Sequence, residues 1–271
     1  MKAVMSLPTD STPCSRQLRA QLRRLLRLAR QGDSRAYVEL AEPYLNLITE
    51  FLGLSGAHDP NDRRRRAGHL LADLWKFLPF TRKVADFERL LAGNLFALRA
   101  VDIPAGDFPC AALFHLDPRE RFVVVARELE RWDETTTAAA LRISRRQAGD
   151  TLFTLRARVL GFDTASLDDA TVACMRHVSR DFDGQHTPRE KLRLCQQLGA
   201  QPKAREFKSE WLELRCRLIE YRQQIRMTDE EKATILSETA TALAGDQMIQ
   251  VRLLDRFVGR IGTRSTHAAT S

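Results

Sequence analysis

Apolar residues recur every three to four positions along most of the chain, and the strict alternation that marks a half-buried strand is almost absent. The pattern therefore predicts a nearly all-α protein. From Arg16, Leu18, Leu22, Leu25, Leu26 and Ala29 fall on one helical face while six arginines line the rest. Such a basic face reads either as an arm for DNA or a membrane, or as the solvated side of a core helix, and the second reading is favoured. Ser34 can cap a following helix whose stripe is Tyr37, Leu40, Tyr44, Leu47, Ile48 and Phe51. Gly53–Asp62 reads as a loop, and Asp62–Arg82 as a helix buried through Leu70, Leu71, Leu74, Trp75 and Leu78 that ends before Pro79. Phe87, Leu90, Leu91, Leu95 and Leu98 mark the next helix. Ile103–Pro109, with two prolines and a glycine, reads as a linker.

The densest set of signals lies in Leu116–Leu160. Asp117, Pro118 and Glu120 form a capping box with proline at the first helical position. Phe122, Val123, Val125, Ala126 and Leu129 follow at helical spacing, predicting an amphipathic helix of about three turns. Asp133 can cap a short second helix with Ala138, Ala139 and Leu141 on its inner face. Arg142-Ile143 is a tight connection, and Ser144 with Gln147 opens a third helix. That helix is predicted to bury Ala148, Leu152, Leu155 and Val159, and to turn Arg145, Arg146, Gln147, Gly149, Asp150, Thr154, Arg156 and Arg158 outward. Helix, turn and basic helix make a helix-turn-helix, whose last helix enters the major groove with its N-terminal turn against base edges. Arg145, Arg146 and Gln147 then sit where bases are read, and Arg156 and Arg158 suit phosphates.

Charge sharpens this picture. The net charge is +8. Residues 1–162 hold 26 Lys and Arg against 19 Asp and Glu, whereas residues 163–271 hold 17 against 16. The basic excess belongs to the half with the helix-turn-helix pattern, which favours a nucleic-acid partner there. No apolar run reaches membrane length and no secretory leader is read at the N-terminus. Five scattered cysteines suit reduced thiols in a cytoplasm.

The 45 residues Leu116–Leu160 resemble, without a gap, the fourth-region domain of bacterial RNA polymerase sigma factors of the extracytoplasmic-function (ECF) type. The resemblance rests on Leu116, Pro118, Arg119, Arg121, Leu129, Glu130, Ala138, Leu141, Ile143, Ser144, Leu152 and Arg156. Arg142 stands where the family has a turn glycine, a φ > 0 position that disfavours a side chain by about 1 kcal/mol. A second, more worn resemblance, to the family's second-region domain, covers residues 28–101 through Gly32-Asp33, Ala36-Tyr37, Trp75, Leu78-Pro79, Phe87 and Asn94. Arg65–His69 replaces the acidic, amide-bearing turn with which the family grips the polymerase.

The expected organisation is a flexible N-terminus (1–15), a sigma region 2-like domain (16–102), a linker (103–112), a region 4-like helix-turn-helix domain (113–162), an α-helical C-terminal extension (163–262) and a disordered tail (263–271). In the extension, Thr187 with Glu190 and Thr228 with Glu231 are capping boxes. Phe207, Trp211, Leu214, Leu218, Ile219 and Ile225 stripe a long helix, and Met248, Val251, Leu254, Phe257 and Val258 mark a last amphipathic piece.

No phosphate-binding glycine loop, nucleophile elbow or zinc-protease motif is present, and Cys174, His177, His186 and Cys195 match no structural zinc spacing. Neither enzyme activity nor a cofactor or metal is expected. The resemblance implies a cytoplasmic bacterial sigma factor that directs core RNA polymerase to promoters. It would contact the −35 element through Arg145, Arg146, Gln147, Asp150, Thr154 and Arg156, the −10 strand through Arg82, Lys83, Arg89, Asn94 and Arg99, and polymerase through Leu70, Leu74 and Trp75. An anti-sigma or regulatory protein would be a further partner. The Arg65–His69 replacement motivates an alternative, a sigma-derived DNA-binding regulator or interaction module that no longer binds polymerase. A dimeric helix-turn-helix repressor is a third reading.

Overall fold

The computed structural model describes residues 16–98, 113 and 115–244. Every regular element among them is helical. In order they are α1 (Arg16–Arg30), α2 (Ser34–Ala41), α3 (Leu45–Leu54), α4 (Pro60–Phe77), α5 (Val84–Ala97), α6 (Pro118–Val124), α7 (Glu134–Leu141), α8 (Arg145–Val159), α9 (Asp169–Phe182), α10 (Pro188–Ala200) and α11 (Pro202–Ile225). A further helical stretch covers 229–244. Short 3-10 turns at Glu42–Tyr44 and Leu78–Phe80 follow α2 and α4, and α6 runs on into a π turn at Val125–Leu129. The expected N-terminal segment, the linker at 103–112, the piece around Met248–Val258 and the tail lie outside the described residues.

Capping signals place most of the helix starts. Asp117 and Glu120, Ser144 and Gln147, and Thr187 and Glu190 form reciprocal capping boxes. Asp133 accepts from the backbone N–H of Thr136. Two starts differ from the sequence reading. Asp33, rather than Ser34, caps α2 by accepting from the N–H groups of Arg35 and Ala36. Asp59 caps α4 with Pro60 at the first position, so that helix begins two residues before Asp62.

Residues 16–98 and 113–159 share one apolar core. Tyr44 stacks edge-on against Phe87 (5.4 Å) and Trp132 (6.0 Å), Trp132 against Phe122 (5.7 Å), and Phe122 against Phe96 (5.5 Å). Polar contacts cross the same seam. Arg121 donates to Ser55 Oγ at 2.9 Å, and Arg89 donates to the carbonyl of Ala139 at 3.3 Å. From 121 to 130 every residue except Arg127 is buried. This element therefore lies at the centre, buried all round rather than amphipathic, with Arg121, Glu128 and Glu130 as its buried charges.

A second, smaller core joins Phe153 and Ala157 of α8 to Cys174, Met175 and Val178 of α9, Leu194 and Leu198 of α10, and Ala204 and Phe207 of α11. Helix α11 is about 36 Å long at 1.5 Å per residue. Its first turns fill this second core, while Trp211, Leu214, Leu218, Tyr221 and Ile225 fill the first. At its C-terminal end Ile225 comes so close to α3 that a Cβ on Gly53 would lie 2.9 Å from Ile225 Cδ1. Gly53 is thus part of α3 and of a helix crossing, where the sequence suggested a loop.

Candidate nucleic-acid interface

Helices α7 and α8 make the helix-turn-helix. Arg142, between them, has φ 58° and ψ 41°, the left-handed conformation that the missing turn glycine implied. Its N–H and that of Ile143 return to the carbonyls of Ala139 and Ala138 and close α7. Gly149 lets α8 approach α7, since a Cβ there would lie 3.0 Å from Glu134 Oε1.

The first turn of α8 is open. Arg145, Arg146 and Gln147 are exposed, and among the described residues Arg146 meets only Asp150, at 3.9 Å. Gln147 Oε1 accepts from the N–H of Ser144 at 2.9 Å, so its side chain serves the cap before it can serve a base. Thr154 and Arg158 continue the exposed strip, and Arg158 pairs with Glu120 at 2.5 Å.

The opposite edge of α8 is covered by the extension. Asp150 accepts from Arg176 of α9 at 2.5 Å, and the Arg176 guanidinium lies 4.5 Å from the Phe153 ring centre. Arg156, expected to face a phosphate, is 1 % exposed. Its five N–H donors all find acceptors: Nε and Nη2 on Glu128, Nη1 on the carbonyl (2.7 Å) and hydroxyl (2.6 Å) of Ser179, and Nη2 on Asp183 (2.7 Å). The ring of Trp211 stacks under it at 5.2 Å. Arg156 is therefore a structural ion and not a phosphate contact, because α9 and α11 bring a second layer over that face. Apolar residues at 152, 153, 155, 157 and 159 were the available signal, since they occupy more than one face of the helix.

The residues assigned to strand contact do not form one set. Arg82 and Lys83 are exposed at the start of α5. Arg89 is held by Asp86 (3.0 Å) and by the Ala139 carbonyl, and Asn94 donates to the Leu90 carbonyl at 2.9 Å. Both are thus engaged within the fold, and Arg99 lies outside the described residues.

The polymerase assignment also changes. Leu70 and Leu74 are buried and support α4 from inside instead of presenting a docking face, and the half-buried Trp75 packs edge-on against Tyr37 at 5.1 Å. The outward residues of α4 include Arg65, His69, Asp73 and Lys76. Part of that face borders an open groove of about 530 Å³ shared with Glu238, Thr239 and Ala242.

A second buried ion cluster fastens α11. Arg222 donates to Glu50 at 2.5 Å, to the Leu129 carbonyl at 2.8 Å and to Glu130. Burial, reinforced by the neighbouring Glu130 carboxylate, pushes Glu50 up to about 8, and burial raises Glu130 as well.

Among the described residues no helix is long and apolar enough to cross a membrane, and no group of three or more His, Cys, Asp or Glu could hold a metal ion. No protein-family model, curated protein or solved structure matches this chain.

Proposed function

We propose that the protein is an ECF-like sigma factor that recognises promoter DNA through α8. The carrying observation is the left-handed turn at Arg142 followed by a capped helix whose first turn exposes Arg145 and Arg146, the latter only loosely paired with Asp150 at 3.9 Å. Guanidinium groups at that position suit guanine edges in the major groove. The chemistry is binding and strand opening, with no covalent step. A second reading, a sigma-derived regulator that does not engage polymerase, is favoured by one observation. Of the residues of α4 expected to grip polymerase, Leu70 and Leu74 are buried and Trp75 is half-buried against Tyr37, and the stretch 229–244 lies beside the outer face of α4.

Selection of bound sequences from a randomised duplex pool tests the shared part. A consensus that loses its preferred bases in Arg145→Ala and Arg146→Ala supports readout by α8; no consensus at all defeats it. Gel filtration of the full chain with bacterial core RNA polymerase separates the readings, because only the sigma factor co-elutes.

A further inference from the structure

Two helices of this chain are rich in arginine, and they differ in how those arginines are used. On α4, Arg65 and Arg66 both bind Asp62, at 2.7 and 2.8 Å. On α1, Arg23, Arg27 and Arg30 occupy one face at i, i+4 and i+7, spanning about 10 Å, and all three are exposed. Among the described residues none of them has a carboxylate within 4 Å. The same holds for Arg82 and Lys83, which line the other side of a groove of about 660 Å³ between α1 and the start of α5. The acids nearby are already taken. Asp86 accepts from Arg89 and from the backbone N–H groups of Arg82 and Lys83, while Glu88 is buried and holds Arg19 and Tyr44. Five cations thus converge on a concave surface with nothing in the described residues to neutralise them. That arrangement focuses positive potential and favours a polyanion.

We propose that this groove is a binding site for the phosphate backbone of nucleic acid, gripped by Arg23, Arg27, Arg30, Arg82 and Lys83. An anionic membrane is the poorer occupant. A helix lying on lipid buries an apolar face among the acyl chains, whereas Leu22, Leu25, Leu26 and Ala29 of α1 are all packed inside the protein. The groove also adjoins the helix-turn-helix, since Arg19 on its wall donates to Thr136 of α7 at 2.7 Å. A duplex or strand bound here adds to whatever α8 reads, and the site stands whether or not α8 is a promoter reader.

The test is the salt dependence of binding of a fluorescein-labelled duplex of arbitrary sequence, and of the corresponding single strand, by the full chain. Each released phosphate counterion contributes about 0.9 to the log–log slope on duplex and about 0.7 on single strands. Arg23→Ala/Arg27→Ala/Arg30→Ala is expected to lower the slope by about 2 to 3 on the form that occupies the groove, and Arg82→Ala/Lys83→Ala by about 1 to 2. Because these side chains are exposed, both variants should keep the parent melting temperature. Arg145→Ala/Arg146→Ala run in parallel isolates failure of the α8 reading, which would leave the groove variants' slope loss in place. Unchanged slopes in both groove variants overturn the proposal. So does loss of binding to phosphatidylserine vesicles with duplex and single-strand affinities intact.

Discussion

The two ends of α8 carry the same residue type to opposite fates. Arg145 and Arg146, in its first turn, point into solvent, while Arg156, three turns on, is 1 % exposed with every donor engaged. On a helical wheel all three belong to the polar side of an amphipathic helix. What separates them is the extension: α9 and α11 add a second layer over the C-terminal part of α8 and stop short of its tip. A basic helix is thus part solvent-facing surface and part strut, and the boundary between the two is set by residues far away in sequence.

The strongest way to break this contrast is Arg156→Ala. It leaves Glu128 with only the distant Arg215 (3.9 Å) and Asp183 with Arg127 (3.2 Å), and loss of one member of a buried ion cluster destabilises by about 3–5 kcal/mol. Urea unfolding should show that loss; a change below about 1 kcal/mol would mean that Arg156 is solvated after all. Arg145→Ala and Arg146→Ala are its mirror image. Each should leave stability within about 0.5 kcal/mol and weaken binding to the selected sequence by about 1–3 kcal/mol, measured by fluorescence anisotropy.

The Arg222 cluster gives a pH dependence of definite sign. Glu50 sits at about 8 in the folded protein against an ordinary value of 4.5. The folded state therefore holds a proton there that the unfolded chain releases between those values. The stability it contributes is fully present below about pH 4.5 and is lost as pH rises towards 8. Urea midpoints across pH 5 to 8 should fall through this window in the parent and flatten in Glu50→Gln; parallel curves would remove Glu50 as the titrating group. The smallest effect is at the turn. Arg142→Gly relieves a left-handed side-chain conformation and should raise stability by about 0.5–1 kcal/mol, seen as a small upward shift of the melting temperature.

Much of the local structure was legible in the sequence because caps and periodicity are local. Asp117–Glu120, Asp133, Ser144–Gln147 and Thr187–Glu190 cap helices at the positions their spacing marks, and Arg142, in the tight connection between α7 and α8, takes a positive φ. Lateral contacts were not legible. Trp132 sits in a three-residue connection with no periodicity to mark it, yet it lies between Tyr44 and Phe122. The partners of Arg156 and Arg222 are separated from them by up to 28 and 172 positions, and no spacing rule reaches that far. Leu70 and Leu74 form an apolar stripe in the sequence, but such a stripe cannot tell the side that meets the core from the side that meets a partner.

Helix α11 has a consequence for how this chain can be divided or recombined. Its first turns complete one core and its last turns complete another, and Ile225 closes on a glycine some 170 positions earlier. A cut after Gly161 would take Trp211, Leu218 and Ile225 from the first core and the acceptors Ser179 and Asp183 from Arg156. The C-terminal part is therefore no cassette to be exchanged between otherwise intact modules. Grafting it elsewhere means transplanting Gly53, Glu50 and Arg156 with it.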